Sequence, residues 1–323
     1  MLKNNAVVYA LSANVELAQK VADNLGVTLG KVRLSHFPSG EVLACPEDTV
    51  RGKQIFIIQS TCPPVNENLM ECLIFIDALR RSSAKEINVV VPYYGYARQD
   101  RKSKPREPIS SKLVADLFST AGADRIVTFD LHAAQIQGFF TCIEDDLSAI
   151  PFLGHVILHD ESIDKSNLVT VSPDHGGVNR ARRIAEKLNT PIAIIDKRRN
   201  ASYQPEVMNI IGDVKGKDCL IVDDMVDTAG SVTAAAQALK DNGAKDVMLV
   251  CTHPVLSDPA YERLSKGIFK HIFVTDSIPL PKKFVEDKSI PIHVCSLAPI
   301  IANAITAINS DTSVSRSYDM YTD

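Results

Sequence analysis

Three carboxylates, Asp223, Asp224 and Asp227, fall within five positions directly after the apolar run Cys219-Leu-Ile-Val222. Thr228-Ala-Gly-Ser231 follows, then Ala-rich helical spacing from Val232 to Leu239, closed by Asn242-Gly243. The spacing predicts a buried strand, an acidic loop and a helix N-terminus. Backbone N–H groups and the helix dipole at such a turn suit a phosphate. Paired carboxylates suit the neighbouring hydroxyls of a sugar, because ionised oxygens only accept hydrogen bonds. A sugar phosphate needs both functions side by side. An ordinary strand-to-helix turn with a solvated acidic loop uses the same residue types, so this stretch alone leaves both readings open.

Other clusters stand at predicted strand ends, where open α/β sheets bind ligands. Tyr96-Ala-Arg-Gln-Asp-Arg-Lys102 follows the run Ile87–Tyr94 and is a cationic cluster, either a nucleotide or polyphosphate contact or a solvated basic loop continuing to Lys104 and Arg106. Asp130-Leu-His132 follows Arg125–Phe129, and strand alternation would put Asp130 and His132 on one side, either to meet a metal–phosphate directly or through water, or with His132 as a structural residue. Ser172-Pro-Asp174-His-Gly-Gly177 follows Leu168–Val171. Asp196-Lys197-Arg198-Arg199-Asn200 follows Ile192–Ile195 and reads as an exposed loop, either solvated or a cationic lid over a transferring phosphoryl group. His36-Phe37-Pro-Ser39-Gly40-Glu41 is a Pro/Gly loop whose Phe37 could be a loop anchor or a stacking platform for a base.

The elements that must position these groups alternate along the chain. Helical spacing runs over Val15–Leu25, Asn66–Ser82, Ser110–Thr120 (with Ser110 as N-cap) and Val178–Leu188. Strands are expected also at Val7–Ala10, Ile55–Ser60, Val247–Cys251, Ile272–Thr275 and Ile292–Cys295. This rhythm predicts an α/β chain of two doubly wound parallel-sheet domains, residues 1–148 and 149–323, with the terminal helix packing back on the first.

At 323 residues both domains have ample core. A net charge of −4 with no basic tail argues against nucleic acid as a partner. The seven cysteines form no C-x-x-C pair, which predicts reduced, mostly buried thiols and a cytoplasmic setting. Met1-Leu-Lys-Asn-Asn starts no signal peptide. The uncharged run Ser289–Ser310 contains Pro291, His293 and Pro299 and reads as a strand and helix rather than a membrane span.

Taken together and in this order, the strings resemble the ribose-phosphate diphosphokinases, the synthetases of 5-phosphoribosyl 1-diphosphate (PRPP), over nearly the whole chain. The acidic turn is similar to the PRPP motif that this family shares with phosphoribosyltransferases, so both domains are expected to be of phosphoribosyltransferase-like type. Ala229 stands where glycine is usual and Ser231 where threonine is usual. Tyr96-Ala-Arg-Gln-Asp100 is identical to the family's ATP-site string.

The resemblance implies transfer of the diphosphoryl group of ATP to the 1-hydroxyl of ribose 5-phosphate, giving PRPP and AMP for nucleotide biosynthesis. It implies catalytic Lys197 and Arg199, and ATP contacts from Phe37, Ser39, Gly40, Glu41, Arg98 and Gln99. Phe37 and Glu41 would reach the site of a neighbouring subunit. Ribose 5-phosphate would be held by Arg199, Asp223, Asp224, Asp227, Thr228, Ala229, Gly230 and Ser231. The cofactor implied is Mg²⁺, associated with His132 and Asp174, with Asp130 as a further acid. A homo-oligomer, in the family a hexamer, would complete the site. Arg51, Ser310, Ser313 and Ser315 resemble a site for phosphate and ADP effectors. Two other readings share the acidic turn: a phosphoribosyltransferase that consumes PRPP, and a catalytically silent relative.

Overall fold

The computed structural model describes Leu2, residues 5–198, residues 207–315 and Tyr321, with the side chains of residues 197, 198, 207 and 208 outside that description. The chain forms two compact units. The first comprises residues 1–148 and 296–320, and the second residues 149–295 and 321–323.

The first unit is built from β1 (Ala6–Ala10), α1 (Val15–Leu25), β2 (Val32–His36), β3 (Val42–Pro46), β4 (Gln54–Ile58), α2 (Val65–Arg81), β5 (Glu86–Val91), α3 (Ser110–Ala121), β6 (Arg125–Phe129) and β7 (Ile143–Leu147). Its main sheet is parallel throughout, in the order β1-β4-β5-β6-β7. Parallel strands covered on both faces read as continuous apolar runs, which is why Gln54–Ile58 is buried along its whole length. Leu69, Cys72, Ile76 and Leu79 of α2 and Val114, Ala115 and Phe118 of α3 join Ile55, Ile57, Val89 and Val91 in one core. Full burial of each such aliphatic side chain stabilises the unit by about 1.5–3 kcal/mol. Asn14 caps α1 by accepting the Leu17 N–H, and Gly26 ends it in the left-handed conformation.

The stretch read as a Pro/Gly loop is the tip of a two-stranded antiparallel hairpin, β2–β3, with His36 opposite Val42. Both strands are only partly buried, so their alternation is weak. Ser110 is not the cap of α3: Ile109 holds that position without a side-chain bond, and Ser110 is the first helical residue.

The second unit contains α4 (Ile150–His159), β8 (Leu168–Ser172), α5 (Val178–Leu188), β9 (Ile192–Arg198), β10 (Val207–Ile211), β11 (Asp218–Val226), α6 (Gly230–Asp241), β12 (Val247–Pro254), α7 (Ala260–Leu264), β13 (Ile272–Thr275), α8 (Lys282–Glu286) and β14 (Ile292–Cys295). The closing helix α9 (Ala298–Asn309) belongs to the first unit, where it packs on α1 and Asn309 donates to Gln54 Oε1 at 2.8 Å. The sheet order is β10-β9-β8-β11-β12-β13-β14, parallel except for the edge strand β10. The chain moves outward from β8 to β9 and then returns to β11 on the other side of β8. This reversal opens a crevice at the carboxyl ends of β8 and β11.

Two strands run further than their apolar spans. Asp196, Lys197 and Arg198 are not loop residues but continue β9, opposite Asn209, Met208 and Val207 of β10. Likewise β11 continues through Asp223 and Asp224 to Val226, because β12 supplies partners as far as Pro254. Among the described residues no helix is long and apolar enough to cross a membrane. All seven cysteines are free thiols, five of them buried.

Candidate active site

Asp223 and Asp224 stand at the carboxyl end of β11, at the reversal of the sheet order. Successive strand residues point to opposite faces, yet both carboxylates meet one guanidinium. Arg180, in the first turn of α5, places Nη1 3.3 Å from Asp223 Oδ1 and 3.4 Å from Asp224 Oδ1. The side chains of Arg180, Asp223 and Asp224 are 18%, 20% and 5% exposed. The Asp224 N–H also donates to Asp223 Oδ1 at 2.9 Å. Burial pushes the Asp223 carboxyl well above the ordinary carboxylate range, the adjacent Asp224 charge adds to this, and Arg180 opposes it. Arg180 is the cation that opposes this rise without cancelling it, so it limits how tightly the crowded pair holds a proton where water is scarce. Nothing in the local sequence had singled out Arg180. The signal was a cation in a helix's first turn, where the dipole disfavours it.

The turn that follows is tightly built. Ala229 adopts φ 58° and ψ 6°, a left-handed conformation that a Cβ disfavours, and it is buried. Gly230 then starts α6, so a left-handed residue followed by a right-handed helix makes successive N–H groups converge into an anion-binding concavity. Thr233 Oγ1 donates to the carbonyls of Ala229 at 2.7 Å and Gly230 at 3.1 Å, tying the turn to the first helical turn. Thr228 and Ser231 are exposed at its mouth and Asp227 is partly buried.

Asp174 lies on the next strand's loop. Its Oδ1 accepts the Gly177 N–H at 2.9 Å and its carbonyl accepts the Ser172 hydroxyl at 2.7 Å. His175 Nε2 lies 3.0 Å from Asp196 Oδ1, which fastens this loop to β9 one position before Lys197. The second unit therefore gathers Asp174, the acid pair and the backbone of Lys197 along the carboxyl ends of three adjacent strands. Arg199 lies outside the described residues.

In the first unit, the turn carrying Arg98 and Gln99 follows β5, and both side chains are exposed. Gly95 makes this turn possible: its N–H donates to Thr61 Oγ1 at 2.6 Å, and a Cβ there would lie 2.5 Å from the Thr61 carbonyl oxygen. Gln135 Nε2 bonds Asp100, which joins this turn to the segment after β6. His132 is exposed on that segment. The chain leaves the strand at Asp130, whose φ is 41°, so strand alternation does not govern where Asp130 and His132 point. Asp130 Oδ1 instead accepts the Ser148 hydroxyl at 2.7 Å.

Phe37, 51% exposed, sits at the hairpin tip. Ser39 Oγ donates to Glu41 Oε2 at 2.6 Å, and the Gly40 N–H donates to the Phe37 carbonyl at 2.8 Å. The tip is a shaped, outward-facing loop. Arg51 precedes the Gln54 that holds Asn309, and Ser310 follows that asparagine. Ser313 and Ser315 share a hydroxyl–hydroxyl bond of 2.6 Å.

Among the described residues no group of three or more His, Cys, Asp or Glu side chains could by itself hold a metal ion. Isolated carboxylates at strand ends nevertheless fit magnesium, which takes one or two carboxylates, retains waters and rides on substrate phosphates. Exposed Asp174 has that chemistry.

Comparison with known proteins bears on the whole chain. A family model of the N-terminal domain of ribose phosphate pyrophosphokinase matches residues 6–122, and one of the phosphoribosyl transferase domain matches residues 156–284. The ribose-phosphate pyrophosphokinase of Fusobacterium nucleatum is 52% identical over 316 residues, 98% of this chain and 99% of that one. Its counterpart from Bacillus subtilis is 51% identical over 311 residues, 96% of each. The crystal structure of phosphoribosylpyrophosphate synthetase from Mycobacterium smegmatis superposes with a TM-score of 0.88 at 42% identity, covering 95% of this chain and 100% of that one. These matches span both units, and the chain belongs to the ribose-phosphate pyrophosphokinase family.

Proposed function

We propose that this enzyme transfers the β,γ-diphosphoryl group of ATP to the 1-hydroxyl of ribose 5-phosphate, giving PRPP and AMP for nucleotide biosynthesis. The observation that carries the reading is the Arg180-bound acid pair placed directly before an N–H concavity at the sheet reversal. Asp223 and Asp224 accept hydrogen bonds from the 2- and 3-hydroxyls. Backbone N–H groups and hydroxyls from Asp227 through Thr228, Ala229, Gly230 and Ser231 take the 5-phosphate. Lys197 and Arg199 neutralise charge on the transferring group, the kind of stabilisation that counts most in a water-poor site. The 1-hydroxyl oxygen forms a bond to the β-phosphorus, the bond from that phosphorus to the AMP oxygen breaks, and the hydroxyl proton goes to solvent. Positioning does most of the work in such a displacement.

ATP is held by Arg98 and Gln99. Phe37, Ser39, Gly40 and Glu41 close on the base of ATP in a neighbouring subunit, a role supported by the half-exposed ring at the hairpin tip. A homo-oligomer, hexameric as the family resemblance implies, is then a condition of activity. Mg²⁺, the cofactor that the resemblance implies, would associate with Asp174 in the second unit and, in the first, with His132 through water or phosphate and with Asp130, and would supply neutralisation of phosphate charge. Phosphate and ADP act as effectors around Arg51, Ser310, Ser313 and Ser315, and the enzyme works in the cytoplasm. Incubation with ATP, Mg²⁺ and ribose 5-phosphate tests the reaction. Phosphorus NMR is expected to show AMP and PRPP appearing together, whereas ADP as the sole nucleotide product would overturn it.

A further inference from the structure

A side chain outside the acidic motif reaches into the phosphate turn. Arg263, on α7, donates from Nη1 to the Thr228 carbonyl at 2.7 Å. The same nitrogen lies 3.0 Å from where a Cβ on Gly230 would stand. Arg263 therefore touches the turn on both sides of the strained Ala229. It also lines a cavity of about 530 Å³ with Gly230, Thr233, Gln237 and Lys266.

The peptide joining Thr228 to Ala229 is planar, and its carbonyl and N–H point in opposite directions. A guanidinium that fixes the Thr228 carbonyl therefore also fixes the direction of the Ala229 N–H, away from Arg263 and into the turn. We propose that Arg263 is a positioning residue for the 5-phosphate: it holds the Thr228–Ala229 peptide so that its N–H faces the anion. This rests on the reading of the turn as a ribose 5-phosphate site. Arg263 touches the back of the loop, so its effect falls on binding of the sugar phosphate rather than on ATP. A methyl group at Gly230 would crowd the guanidinium and make it shift by a few tenths of an ångström, which loads the bond to the Thr228 carbonyl.

The test is steady-state kinetics on the full chain with Arg263→Ala, Arg263→Lys, Gly230→Ala and the double variant, with Lys266→Ala as a control from the same cavity wall. Arg263→Ala is expected to raise KM for ribose 5-phosphate about tenfold, as loss of a charged hydrogen bond does, with kcat and the KM for ATP little changed. Arg263→Lys restores part of the loss. Guanidinium ion at millimolar concentration restores more in the Ala variant, because the adjoining cavity admits it. Gly230→Ala raises the same KM in the unsubstituted background and adds little in Arg263→Ala. An unchanged KM for ribose 5-phosphate in a folded Arg263→Ala variant overturns the role of Arg263 alone. An equal rise in both KM values without guanidinium rescue does the same, since it marks a general loss of structure. Absence of any turnover of ribose 5-phosphate by the unsubstituted enzyme overturns the reading of the site and this inference with it.

Discussion

Replacing Arg180 by methionine removes the charge and keeps most of the side-chain volume. The guanidinium stands 3.3 and 3.4 Å from two carboxylates, in a site where Asp224 is 5% exposed. Removing one partner of a buried ion pair costs about 3–5 kcal/mol, because the other charge is left without compensation. Arg180 and Asp223 keep about a fifth of their surface open to water, which screens part of this, and uptake of a proton by the acid pair limits it further. A loss of about 2–3 kcal/mol in the second unit follows, corresponding to a fall in Tm of roughly 5–10 °C for a unit of this size. The functional effect is linked to the same proton. An acid pair that retains a proton at neutral pH loses acceptor capacity for the two sugar hydroxyls. Without the opposing guanidinium the pair holds its proton to higher pH, so the rise of kcat/KM for ribose 5-phosphate with pH is expected to move upward, with values about tenfold or more lower than in the unsubstituted enzyme below that rise. Calorimetry and a pH profile of kcat/KM, run on both proteins, check the two halves. A Tm within a degree of the unsubstituted protein, together with superimposable pH profiles, would refute the electrostatic reasoning.

Two further outcomes follow from the structure. Ala229→Gly removes a Cβ at φ 58°, a strain of about 1–2 kcal/mol, while adding about 0.4–1 kcal/mol of unfolded-chain entropy. The net expectation is a small rise in Tm of roughly 2 °C, and a fall would show that the Cβ contributes packing that outweighs the strain. In the first unit, burial is the main cause that pushes Glu144 up to about 7 from an ordinary 4.5 and Asp146 up to about 6 from 3.8. Because the folded values are raised, the stability these groups contribute is full below their ordinary values and is lost as pH rises through about 6 to 7. Thermal stability is therefore expected to decline between about pH 4 and pH 7, and Glu144→Gln to flatten that decline. A variant with an unchanged slope would contradict the assignment.

The sequence was most legible where local chemistry and local pattern agree. Cys219–Val222 followed by three acids and small residues announces a strand leading to a helix N-terminus, and β11 and α6 lie there. What it does not announce is where the strand stops. Asp223 and Asp224 stay in β11 because Cys251 to Pro254 of β12 continue beside it, and pairing between strands is a non-local property. Lys197 and Arg198 follow the same logic, since their place in β9 depends on β10. The hairpin β2–β3 escaped notice because its residues are mostly half-buried or exposed, so its alternation of apolar and polar positions is faint. Arg180 and Arg263 were invisible for a related reason. Each acts on a turn more than thirty residues away in sequence, and only the packing of α5 and α7 brings them to it. Arg180 alone left a trace, by opposing the dipole of its own helix.

The proposed reaction requires the paired acids at the end of β11 to receive the hydroxyls of a phosphorylated ribose. Calorimetric binding of ribose 5-phosphate and of 2-deoxyribose 5-phosphate to the unsubstituted enzyme tests it most directly. The two ligands share the phosphate and differ by one hydroxyl, so phosphate binding cancels in the comparison. A buried acceptor left without its donor penalises the deoxy sugar, and affinity at least about tenfold weaker is expected for it. Equal affinity for the two sugars would rule out hydroxyl binding by the acid pair.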